Sequence, residues 1–150
     1  LKQLGHNAEL VTEFAKDLAW EDRSVIKCRP FVFGEQLWRI ERLLGHVEIV
    51  VTDSPLLMDL VYSSHYGPHW VKVVEAEHRK LNTLDIFLLR DNTAHPFNPK
   101  GRWQSLEESI ALDRKIETLL ETHNVCYSSA GVGDADYIVQ IIQTRLRGDT

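Results

Sequence analysis

A chain of 150 residues has the length of one domain with room for a sizeable core, and its composition is that of an ordinary globular protein. A net charge of −5, from 17 Lys and Arg against 22 Asp and Glu, counts against non-specific nucleic-acid binding as the main activity. Cys28 and Cys126 lie too far apart for a metal spacing or a disulfide framework, so a reduced, cytoplasmic setting is the default; no apolar run approaches the ~18–20 residues of a membrane span, and no signal peptide is visible.

The opening LKQLGHN reads as the last turn of a helix, with Gly5 suited to the left-handed position just past its end. Because helix nucleation is costly, that opening predicts a strand, a loop and most of a helix upstream of Leu1. NAELVTEF (7–14) predicts a short strand, AKDLAWED a helical turn or two, and SVIKCRP (24–30) a break ending in Pro30. In FVFGEQLWRIERLLGH the apolar residues Phe33, Leu37, Ile40 and Leu44 have helical spacing, with Gly45 as the stop. VEIVV (47–51) has the β-branched pattern of a strand buried on both faces of a parallel sheet. Helix is expected from Pro55 to about Lys80, broken near Tyr66-Gly67-Pro68. LDIFLLRD (84–91) is a second buried strand. Ser105 and Glu108 have capping-box spacing ahead of a helix to 121, VCYSS (125–129) is a third strand, and a last helix covers roughly 134–146.

Strands alternating with helices predict βαβ units and a mostly parallel sheet, with the runs 47–51, 84–89 and 125–128 side by side. Ligands of such sheets sit beyond the carboxyl ends of the strands. That rule selects Thr12-Glu13, Asp53-Ser54, Arg90-Asp91 and Ser128-Ser129. Asp53 at the end of a buried strand has the chemistry to hold Mg²⁺ beside a phosphate, or, alternatively, to cap the helix after Pro55. Glu13 has the chemistry to take a proton from a substrate hydroxyl, or to sit as a surface acid at a helix start. The loop 92–104 holds Pro96, Pro99 and Gly101 and carries Lys100 and Arg102, cations that can close over phosphates if the loop is a lid rather than a solvated connection. His65 and His69 have a helical metal spacing interrupted by Gly67-Pro68. Ser128-Ser129 with Gly131 and Gly133 can form a turn around a base or phosphate, or an ordinary strand-to-helix loop. No G-x-x-x-x-G-K-[ST] occurs, since none of the eight glycines is followed by Lys.

ELVTEFAKDLAW, FVFGEQLWRIERLLG, VEIVVTDSPLL, the stretch PFNPKGRWQSLEES followed by ALDRKI, and VCYSS together resemble the AAA-type P-loop ATPase/kinase domain common in bacteriophage genomes. That family is related to the nicotinamide riboside kinase domain and, more distantly, to deoxynucleoside kinases. The resemblance implies a Walker A loop upstream of LKQLG, so that the chain is truncated before or within its first helix. It likens Asp53 to the metal-holding acid after the Walker B-type strand, Glu13 to the carboxylate that activates or binds the substrate hydroxyl, and Lys100 and Arg102 to lid cations, with Arg90 assisting from the lid hinge.

The expectation is therefore a single α/β domain over 1–150, a three-layer P-loop NTPase-like fold with a mostly parallel sheet, lacking its first strand and P-loop, and with a lid at about 91–104. The resemblance implies ATP and Mg²⁺ as cofactors and phosphoryl transfer to a nucleoside-like small molecule, without membrane or nucleic-acid partners. An ATPase that drives or switches a partner protein, and a non-catalytic remnant of the fold, are the alternatives. Loss of a strand would uncover apolar surface and favour self-association into a homo-oligomer.

Overall fold

In the computed structural model, residues 1–21, 24–91, 98 and 105–148 are described. Strand β1 (Ala8–Val11) is followed by helices α1 (Phe14–Trp20) and α2 (Arg29–Glu41), then by β2 (Ile49–Thr52). The short helix α3 (Asp59–Tyr62) and the longer α4 (Pro68–Lys80) lead to β3 (Asp85–Leu89). Helix α5 (Leu106–Thr122), β4 (Tyr127–Gly131) and α6 (Ala135–Leu146) complete the order.

The pairing is parallel throughout, as the alternation of elements predicts. β1 lies beside β2 with Ala8 opposite Ile49 and Val11 opposite Thr52. β3 lies beside β4 with Asp85 opposite Tyr127 and Leu89 opposite Gly131. Parallel neighbours need a crossover, which α1 and α2 provide in the first pair and α5 in the second. The expectation of three adjacent strands is corrected, because β2 pairs with β1 and not with β3, leaving two two-stranded sheets. Burial on both faces is corrected too. Val51, Leu88 and Leu89 are 39%, 55% and 48% exposed, because among the described residues the helices that cover the core side have no counterpart over these side chains. Leu10, opposite Val51 in the register, shares that exposure.

The core forms where α2, α3 and α4 cover the first pair. Val11, Phe33, Ile40, Leu56, Leu57 and the fully enclosed Val74 pack as one cluster, and Leu119 and Val125 reach it from the second half of the chain. Trp70 meets Phe33 edge-on at 5.3 Å between ring centres, an arrangement that suits their quadrupoles.

Helix α2 starts earlier than Phe31, with Pro30 in its first turn, where a missing N–H costs nothing. It ends at Glu41, before Gly45, which sits in a left-handed turn at φ 78°. Leu44 is accordingly outside the helix and exposed. Gly67 at φ 75° makes the expected break and hands over to Pro68 at the start of α4. Helix α5 begins on the expected capping box. Ser105 Oγ accepts from the Glu108 N–H at 3.2 Å, and the Ser105 N–H donates to Glu108 Oε2 at 2.7 Å. At the start of the chain, Lys2–Leu4 form a 3₁₀ turn closed by Gly5 at φ 89°.

Candidate functional site

The carboxyl ends of β1 and β2 come together because the two strands are parallel and in register to their last residues, Val11 and Thr52. Glu13 and Asp53 therefore leave neighbouring strand ends. Glu13 is half-buried at the cap position of α1, yet its side chain makes no capping bond. Asp53 is exposed. The 3₁₀ turn after it, Leu56–Met58, has Pro55 at its cap and no side-chain cap, so the capping alternative for Asp53 does not hold. Neither carboxylate caps a helix.

Gln36, from the buried face of α2, joins these two strand ends. Its Oε1 accepts from the Phe14 N–H at 3.0 Å, and its Nε2 donates to Thr52 Oγ1 at 3.3 Å. The same hydroxyl oxygen accepts from the Ser54 N–H at 3.1 Å. Beside them, the Arg39 guanidinium lies 4.7 Å from the Phe14 ring centre while donating to Asp17 and Glu35.

A buried polar knot stands next to this edge. Arg29 Nε donates to Asp59 Oδ1 at 2.8 Å, and its Nη2 lies 2.6 Å from the same oxygen. Trp70 Nε1 donates to Asp59 Oδ2 at 2.8 Å. The Arg29 side chain is 12% exposed and that of Asp59 is 4% exposed, while Tyr62 stacks under the guanidinium at 5.2 Å. Sequence reasoning missed both Gln36 and this knot. Their only signal is a polar residue on an apolar helical face, Gln36 among Phe33 and Ile40, and Asp59 within LLMDLV.

At the end of the second pair, Arg90 is exposed and paired with an acid. Its Nε and Nη2 donate to the two oxygens of Asp113 on α5 at 2.7 and 2.9 Å, a forked pair that raises the guanidinium pKa, with partial burial opposing. Lys100 and Arg102, with most of the expected lid, lie outside the described residues. Ser128 and Ser129 do not follow a strand but belong to β4, which begins and ends later than the apolar run suggests. The turn beyond it is already closed. The Gly131 N–H donates to Asp134 Oδ2 at 2.7 Å, and a Cβ on Gly131 would meet that oxygen at 3.0 Å.

The cavities lie elsewhere. One of about 270 Å³ opens at the amino end of β3, lined by Glu75, His78, Asp85 and His123. In it His123 Nδ1 stands 2.7 Å from Glu75 Oε1, a hydrogen bond that draws the Glu75 carboxyl below its ordinary range. Burial pushes the pKa of His78 down, against the pull of Asp85 4.0 Å away. A groove of about 470 Å³ runs between β4 and α6, past Leu84, Ser128 and Tyr137. Of the residues selected from the sequence, only Ser128 lines either cavity.

Parallel strand pairs, crossover helices and acids at adjacent carboxyl ends define an α/β domain of the P-loop NTPase type. The profile of the AAA domain family, a P-loop NTPase family, matches residues 7–136, and the chain belongs to that family. No curated protein and no solved structure matches the chain.

Proposed function

We propose that the domain serves ATP-dependent phosphoryl transfer to a nucleoside-like small molecule. The observation that carries this reading is the placement of Glu13 and Asp53 just beyond the paired residues Val11 and Thr52, with neither acid engaged in a helix cap. Among the described residues the Asp53 side chain makes no hydrogen bond, and its exposed carboxylate is an oxygen donor of the kind Mg²⁺ accepts. When bound there, Mg²⁺ would neutralise charge on the transferring phosphoryl group. Glu13 accepts the proton of the attacking hydroxyl. Lys100 and Arg102 act as lid cations. Arg90 joins them only by exchanging Asp113 for a phosphate.

The phosphate-wrapping loop of this reading is not in the 150 residues.

The test is steady-state transfer from MgATP by the full-length protein, with a panel of common ribo- and deoxyribonucleosides as acceptors. Asp53→Asn should lower turnover and shift the Mg²⁺ requirement, and Glu13→Gln should abolish transfer more than it weakens ATP binding. Full transfer by Glu13→Gln would remove the base assignment. Phosphate release that ignores every acceptor would favour an ATPase, and no ATP consumption at all a binding remnant.

A further inference from the structure

Gln36 occupies a position that its side chain does not suit. It lies on the inward face of α2 with Val32, Phe33 and Ile40, and only 5% of it is exposed. A primary amide there is tolerated only if both of its ends are bonded. Both are, and the partners lie at the ends of different strands, Phe14 just after β1 and Thr52 at the close of β2. The oxygen holds the Phe14 N–H, one of the first amides of α1 that no residue of that helix can satisfy. The nitrogen holds the Thr52 hydroxyl, which in turn fixes the Ser54 N–H. One side chain thus ties the residue after Glu13 to the residues on either side of Asp53.

We propose that Gln36 is a positioning residue that sets the separation of the Glu13 and Asp53 carboxylates. The role rests on the reaction proposed above, but the bridge itself does not. β1 and β2 are already paired, so the bridge is not needed to hold the strands together. What it adds is a fixed geometry at the two chain segments that leave the sheet, where no ladder bonds remain. Misplacement of reacting groups by about 1 Å costs on the order of 10²-fold in rate, so a bridge of this kind affects turnover more than affinity.

The experiment uses the full-length protein and reads two quantities, amide hydrogen exchange at Phe14 and kcat for ADP formation from MgATP with the nucleoside panel. Thr52→Val keeps the shape of Thr52 and removes the oxygen that Gln36 holds. It should speed exchange at Phe14, on the other strand end, and lower kcat roughly 10- to 100-fold while KM for ATP stays within about twofold. Thr52→Ser, which keeps the hydroxyl, should restore both. Gln36→Leu should match Thr52→Val, and the double variant should be no worse than Gln36→Leu alone. If Gln36→Leu does not fold, the Thr52 pair decides. Unchanged exchange at Phe14 in Thr52→Val overturns the bridge. Altered exchange with unchanged kcat overturns the positioning role. A wild type that forms no ADP overturns the proposed reaction and the catalytic meaning of the bridge, and Phe14 exchange then decides the bridge alone.

Discussion

Removal of the Asp59 carboxylate should be among the most destabilising single changes in this domain. The carboxylate accepts from Arg29 on one oxygen and from Trp70 on the other, at 2.6 to 2.8 Å, and is 4% exposed. In Asp59→Ala the Arg29 guanidinium stays in place at 12% exposure without a counter-charge, and the indole N–H loses its acceptor. Breaking a buried pair from one side costs about 3–5 kcal/mol. For a domain near 150 residues each kcal/mol moves Tm by roughly 2–4 °C, so a fall of about 6–20 °C is expected. The pair as a whole is worth less than that loss, because both charges were desolvated to form it. Arg29→Met combined with Asp59→Leu should therefore be more stable than Asp59→Ala. Urea unfolding of the full-length protein, with thermal unfolding beside it, measures all three. A loss under about 1 kcal/mol for Asp59→Ala, or a double variant less stable than the single, would show that water reaches the knot and that its bonds are not those of a buried ion pair.

Three further outcomes follow from the same structure. The folded pKa of His78 lies below its ordinary 6.5, so the stability it protects is complete above that pH and is lost as pH falls through 6.5 towards the folded value; urea midpoints of wild type should drop over that window more than those of His78→Gln. Ser105→Ala removes one bond of the α5 capping box and exposes the Glu108 N–H, which should cost about 1 kcal/mol in urea unfolding, while Ser105→Thr should cost little. Replacing Lys100 and Arg102 together by Ala should lower kcat for phosphoryl transfer by roughly 10²–10³-fold with unfolding unchanged, and unchanged kcat with unchanged KM for ATP would remove the lid from the proposed reaction.

The elements that sequence resolves well here are those with local causes. The box at Ser105 and Glu108, the break at Gly67-Pro68 and the helix of 134–146 are each set by residues within a turn of one another. The β-branched and aliphatic runs mark β2 and β3 correctly as strands in a parallel arrangement, yet they overstate burial. A run of Val and Leu reports the tendency to be covered, and whether a layer lies over Val51 or Leu88 depends on distant chain. The shift of β4 past Cys126 has a similar origin, since its start is fixed by pairing with Asp85 rather than by its own apolar residues. At the candidate site the acids were legible, because a polar residue after an apolar run needs only the topology rule. Gln36 and Asp59 were not, because a buried polar side chain is identified by its partners, and theirs are 11 to 30 residues away.

The packing of the last helix bears on how the domain comes apart. α6 contributes no wholly buried side chain, whereas Val74 of α4 is fully enclosed and Phe33 and Ile40 of α2 are nearly so. Elements with few enclosed apolar contacts open at lower free energy than the core. Disruption therefore starts at the carboxyl-terminal helix, and a limited protease dose should release fragments ending within 135–146 before it cuts α2 or α4. The molecule has a hierarchy of cooperative units rather than a single one, with α6 as its weakest member and the cluster around Val74 as the last to give way.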